Sequence, residues 1–199
     1  MAMNWEGAYR EGDTPWNIGE PAPPLMSLLE TMDVSHANQA TVLVPGCGLG
    51  HDADAWRRAG YKVTGLDISS TALNLAEKLY GNAIRWVKSD FLEEQDVLED
   101  RVDIIFEHTC FCAIDPEKRG AYVQSARKWL VPGGLFIGIF FTDPPPRDDG
   151  ESGPPFGSDL KDLRSIFGAS FKIRRELSPD RSHPDRLGRE VIIEMVRTP

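Results

Sequence analysis

The chain has 199 residues, room for one domain of ordinary size, and its 41% hydrophobic and 27% charged residues are the balance of a globular protein. Asp and Glu outnumber Lys and Arg by 31 to 22, for a net charge of −9, which argues against a nucleic-acid partner, because that role needs a basic surface. The 3 cysteines, two of them paired at Cys110 and Cys112, make neither a disulfide framework nor a four-ligand metal cluster, and no stretch reaches ~18 apolar residues, so no metal and no membrane span are expected. With no leader pattern over 1–10, the expectation is a cytoplasmic monomer, one domain over 1–199, acting on a small molecule.

Residues 1–40 carry no strand signal. They hold Trp5, Tyr9 and Trp16, then Pro21, Pro23 and Pro24 leading into an apolar helical run over 25–32. A proline in the first turn of a helix loses no hydrogen bond. From Thr41 the pattern alternates. Strands are predicted at 41–45, 61–66, 84–88, 102–106 and 135–141, and helices at 51–59, 69–80 and 116–130. A Gly- and Pro-rich stretch over 143–158 is too long for a plain connector. A helix over 160–167 and strands at 170–177 and 190–196 follow, the last two joined by a polar loop with Arg181, His183, Arg186 and Arg189. Strands apolar on both faces, alternating with helices, predict a parallel sheet covered on both sides.

The strongest motif is Val44-Pro45-Gly46-Cys47-Gly48-Leu49-Gly50, directly after the first strand. Glycines there let the backbone turn tightly and approach a ligand. Asp67 ends the second strand, where an acid accepts hydrogen bonds from ribose hydroxyls. A dinucleotide site needs G-x-G-x-x-G, and His51 stands where its third glycine belongs. The G-x-G-x-G spacing instead resembles the nucleotide loop of class I S-adenosylmethionine methyltransferases. Asp90-Phe91 after the third strand, where such enzymes place an acid near the adenine, and Trp129-Leu-Val-Pro-Gly-Gly before the fifth, are similar to the same superfamily.

The resemblance narrows with the remaining segments. Trp5, Tyr9, Asp13-Thr-Pro-Trp16 and Gly19-Glu-Pro-Ala-Pro resemble the N-terminal signature of the thiopurine S-methyltransferase-like enzymes, which include the halide, thiocyanate and thiol methyltransferases of plants. Leu43-Val-Pro-Gly-Cys-Gly-Leu-Gly-His-Asp52, Glu107-His-Thr-Cys-Phe-Cys-Ala-Ile114, Gly153-Pro-Pro-Phe156 and Arg186-Leu-Gly-Arg-Glu190 resemble four further segments of that group, in order along nearly the whole chain. The resemblance departs at His108, where the plant branch usually carries Tyr. It implies a Rossmann-like sheet of seven mostly parallel strands, the last antiparallel, with an N-terminal helical lid over 1–40 and the α/β core over 41–199. It also implies S-adenosyl-L-methionine as cofactor, contacted by Trp5, Tyr9, Trp16, Gly46, Cys47, Gly48, Asp67, Ile68, Asp90, Phe91 and His108.

Aromatic faces attract cations, which suits Trp5, Tyr9 and Trp16 to a sulfonium. Methyl transfer from a sulfonium is an in-line displacement, and its main demand is alignment. Anions need no strong base, and a thiol with a pKa of ~8.5 needs little help, so the lack of a catalytic dyad in the sequence does not exclude an enzyme. Arg186, then Arg147, are the candidates to draw in an anionic acceptor, and Phe111 and Phe156 to wall its pocket. His108 is a candidate base. Cys110 and Cys112 read as buried, inert thiols. Two other readings stand beside transfer to a thiol, thiocyanate or halide: an O- or N-methyltransferase needing His108 or Glu107 as base, and a cofactor sensor without turnover.

Overall fold

The structure is a computed structural model describing residues 3–33, 35, 37–93, 100–145 and 153–199. It opens with α1 (Trp5–Glu11), started by the Asn4 side chain on the Gly7 N–H and stopped by Gly12 at φ 75°. Helix α2 (Pro23–Thr31) has its prolines in the first turn and buries Pro24, Leu25 and Leu28. Then come β1 (Thr41–Pro45), α3 (His51–Arg58), β2 (Lys62–Asp67), α4 (Ser70–Tyr80), β3 (Arg85–Lys88) and β4 (Val102–His108). The chain ends with α5 (Arg119–Trp129), β5 (Leu130–Phe141), α6 (Leu160–Phe167), β6 (Phe171–Leu177) and β7 (Glu190–Arg197).

The strands form one seven-stranded sheet in the order β3-β2-β1-β4-β5-β7-β6. The pairs from β3 across to β5 are parallel, and β7 runs antiparallel to both β5 and β6. The expected sheet is thus the observed one. Alternate residues serve opposite faces. Leu43, Ile105, Phe136 and Phe140 pack with Tyr122 of α5 and Phe167 of α6. Val42, Val44, Ile104, Phe106 and Ile137 pack with Leu25 and Leu28 of α2 and Trp56 of α3, joined by Tyr80 of α4.

Three boundaries differ from the sequence reading. Pro132-Gly133-Gly134 reads as a stop before a strand, yet β5 already starts at Leu130. Val102 pairs with Leu130 and Ile104 with Leu135, so the ladder skips the irregular stretch. The predicted helix over 116–130 begins as a 3-10 turn, Pro116–Lys118, before α5 proper. Strand β4 runs on to His108, which places Glu107 and His108 on opposite faces of the sheet.

After β3 the chain crosses to the other side of β1, so a topological switch lies between β1 and β4. Ligands of open α/β sheets bind at the carboxyl ends of strands at such a switch. The glycine loop, Asp67, Asp90 and His108 all stand at that edge.

Candidate active site

Gly46, Gly48 and Gly50 hold φ of 59°, 52° and 81°, the left-handed region that side chains disfavour. Space demands glycine as well. A Cβ on Gly46 would lie 2.7 Å from Cys110 Sγ, and one on Gly48 2.6 Å from Tyr9 Oη. The loop is therefore clasped between the segment after β4 and the N-terminal helix. Cys47 turns inward, its N–H on the Leu66 carbonyl at 3.0 Å.

Asp67 is buried beneath this loop. Its Oδ2 accepts the Gly48 N–H and its Oδ1 the Ser69 N–H, each at 2.8 Å. Burial raises its pKa, and these backbone donors oppose the rise. A carboxylate oxygen accepts two bonds, so each keeps capacity for a hydroxyl. The neighbouring Ile68 is 47% exposed, an apolar side chain left in the open beside the loop. Asp90 caps its own turn through the Leu92 N–H.

The N-terminal rings sit over the loop. Trp5 meets Trp16 edge-to-face at 5.2 Å, Tyr9 meets Trp16 at 5.8 Å, and the Trp16 indole N–H donates to Tyr9 Oη at 3.0 Å. Polar bonds fasten α1. The Glu6 carboxylate accepts from Ser69 Oγ (2.7 Å), Thr71 Oγ1 (2.6 Å) and the Thr71 N–H (3.2 Å), at the start of α4. The Thr71 and Ser69 bonds hold its pKa down at about 2. A second tie runs from Asn17 through His51 to Tyr80.

On the side of β4 facing α3, four charged or titratable groups meet. His108 Nδ1 lies 2.8 Å from Asp52 Oδ2, whose other oxygen takes the Ala22 N–H at 2.7 Å. His108 Nε2 lies 2.8 Å from Arg186 Nη1 and 3.7 Å from Glu190 Oε1. Arg186 also donates to the Trp16 carbonyl at 2.9 Å, joining this cluster to the N-terminal segment. Burial would depress the His108 pKa, but Asp52 and Glu190 outweigh it and push it up to about 9, against Arg186. The contact with Arg186 selects the tautomer of the neutral ring. A guanidinium only donates, so Nε2 accepts and the ring proton sits on Nδ1. A second proton on Nε2 would require Arg186 to step aside and would face Glu190. Glu190 Oε2 is buried without a partner among the described residues.

Glu107, on the other face, does different work. It is fully buried and accepts the Phe111 N–H at 2.7 Å and the Tyr122 hydroxyl. Burial pushes its pKa up to about 7. It thereby holds the loop after β4, where Thr109 keeps a φ of 64°, rare for a β-branched residue. Beyond that loop, the Phe156 N–H donates to the Cys112 carbonyl at 2.7 Å, and Arg119 binds the Phe156 and Gly157 carbonyls while stacking on Phe111.

A model of the thiopurine S-methyltransferase family matches residues 1–198. The chain belongs to the thiopurine S-methyltransferase family. It is an S-adenosylmethionine-dependent methyltransferase. Among its relatives, probable thiol methyltransferase 2 of Arabidopsis thaliana is 32% identical over 194 residues, spanning 93% of this chain and 83% of the relative. Thiocyanate methyltransferase 1 of the same plant is 33% identical over 195 residues, spanning 93% and 82%. In structure, the methyltransferase resembles the Burkholderia thailandensis 1,6-didemethyltoxoflavin-N1-methyltransferase, solved with S-adenosylhomocysteine, with a TM-score of 0.71 and 21% identity over 97% of this chain and 85% of that one. No helix among the described residues is long and apolar enough to cross a membrane.

The residues present fit the cofactor. The loop leaves no room for a Cβ at Gly46 or Gly48, Asp67 keeps acceptor capacity for a diol, Ile68 offers an open apolar surface, and three rings stand over the loop. Two candidates are placed otherwise than expected. Phe111 does not wall a pocket; its ring is enclosed by Tyr122, Phe140 and Phe167. The Phe91 ring likewise packs on Tyr122 in the core, leaving only its backbone near the site. Arg147 lies outside the described residues. Cys110 and Cys112 are free thiols, and burial pushes both upward, Cys112 to about 12, as inert thiols require. Asp52 and Glu190 stand inside sequence motifs and Glu6 in none, and the roles of all three emerge only in the fold. Their partners lie on distant segments, which spacing along the chain cannot reveal.

Proposed function

We propose that the methyltransferase transfers the methyl group to a small thiol, thiocyanate or halide. The observation that carries this reading is Arg186, a guanidinium only 7% exposed, held beside the N-terminal segment by His108 and the Trp16 carbonyl, with Glu190 Oε1 at 3.9 Å. An anion entering a closed site loses its hydration, and a buried cation offsets that loss. The plant relatives' names, a probable thiol and a thiocyanate methyltransferase, support the same acceptor class.

In this reading Asp67 would hold the ribose hydroxyls and the glycine loop, Gly46 to Gly48 with Cys47 between, would hold the cofactor. Ile68, Asp90 and the Phe91 backbone would hold the adenine. Trp5, Tyr9 and Trp16 would attract the sulfonium and keep water out. Bound S-adenosylmethionine supplies an electrophilic methyl carbon. The chain's task is then to hold the acceptor in line at contact distance. Phe156 and Arg186 bound the acceptor side. We take the protein to act as a single-domain cytoplasmic monomer.

The test is transfer of labelled methyl to iodide, thiocyanate, an alkyl thiol, an aromatic thiol and a phenol. Turnover of the sulfur nucleophiles or iodide is expected, with Arg186→Ala raising KM for thiocyanate at least about tenfold, as loss of a charged hydrogen bond implies. Turnover confined to the phenol would overturn the reading.

A further inference from the structure

The cluster around His108 contains more than an anion needs. Halide and thiocyanate carry no proton, yet Asp52 orients the imidazole through Nδ1 and leaves Nε2 as an acceptor facing a donor 2.8 Å away. A carboxylate that fixes one ring nitrogen so that the other can take a proton is the arrangement of a general base. We propose that His108, positioned by Asp52, removes the proton from a neutral thiol acceptor through Nε2, the atom that Arg186 covers in this structure. The proposal rests on the thiol reading above.

Proton balance follows from the groups that face the ring. Asp52 comes from α3, Arg186 and Glu190 from the turn before β7 and from β7 itself, and the Trp16 carbonyl from the lid. Glu107, the preceding residue of β4, acts on the ring from the other face of the sheet, His51 lies near Asp52, and Cys112 lies near Arg186. The acceptor's S–H bond breaks and its proton passes to Nε2. The sulfur's electron pair forms the new bond to the methyl carbon, and the sulfonium donor leaves as a neutral thioether. The protonated Nε2 then faces Glu190, whose Oε2 has no other partner among the described residues. Arg186, released from Nε2, remains as the cation of the site. The two carboxylates raise the ring's basicity to about 9, toward that of the thiol it is to deprotonate.

The experiment compares ethanethiol, which must lose a proton, with thiocyanate, which has none to lose. Turnover of both is followed from pH 6 to 10 for the parent, His108→Asn and Asp52→Asn, with thermal melts to confirm folding. His108→Asn is expected to lower the ratio of thiol to thiocyanate turnover by about 10²–10⁴-fold. Asp52→Asn is expected to move the rising limb of the thiol profile to lower pH, because removing its negative charge lowers the basicity of the ring. Ring-labelled histidine NMR of the protein without acceptor gives an independent reading: the resonance missing in His108→Asn should titrate at lower pH in Asp52→Asn. Equal losses on both acceptors in His108→Asn, or an unmoved limb and titration in Asp52→Asn, would overturn the proposal. A parent that turns over neither acceptor fails the thiol reading itself, a result distinct from either.

Discussion

Asp67 shows how one carboxylate can serve two neighbours. Its backbone bonds to Gly48 and Ser69 shape the loop, while its spare acceptor capacity points to a diol. Asp67→Ala is expected to weaken binding of S-adenosylhomocysteine by about 10- to 150-fold, the loss of hydrogen bonds worth about 1.5–3 kcal/mol, measured by calorimetry. Glu107 gives a pH signature of its own. Its pKa, about 7 in the folded chain against an ordinary 4.5, means that its contribution is full below about 4.5 and is lost as pH rises through 7. Glu107→Gln cannot lose that proton, so its stability in urea should gain on the parent between pH 5 and 8; a constant difference would show that the carboxyl is already ionised there. The glycines and Asp67 were legible in the sequence because backbone geometry and ribose chemistry restrict those positions to a few residue types. Phe91 and Phe111 were not, because an aromatic in the loop after a strand looks the same whether its ring faces a ligand or the core.

At the scale of elements, α1 is a short helix whose fastening is polar. Glu6 is held at a pKa of about 2, below its ordinary 4.5, so the fastening is complete above about 4.5 and fails as pH falls toward 2. Glu6→Gln should raise amide exchange over Trp5–Glu11 while exchange in β1 and β4 stays slow; equal protection in variant and parent would remove the clasp. The alternating strands and helices were readable because buried parallel strands are apolar on both faces. The start of β5 was not, since Pro132-Gly133-Gly134 breaks the pattern locally and only pairing with Val102 carries the strand across it. The pairing of Asp52 with His108 was equally hidden, because it joins a helix start to a strand end across the topological switch.

At the scale of the whole molecule, the sheet separates two apolar layers, and the site sits at its carboxyl edge, outside both. Phe136 is fully buried, with its ring against Tyr122, Phe140, Phe167 and Phe171. Phe136→Ala should cost about 3–5 kcal/mol in urea unfolding, and a loss below about 1 kcal/mol would mean that this layer repacks freely. The clasp at Glu6 also bears on timing. If α1 acts as a lid over the cofactor, as we propose, its lifting from α4 is resisted by three hydrogen bonds at one carboxylate. Lid opening is often slower than chemistry. Glu6 would then act as the enzyme's clock: a looser clasp shortens the residence of the spent cofactor and quickens each cycle, while a tighter one trades speed for retention.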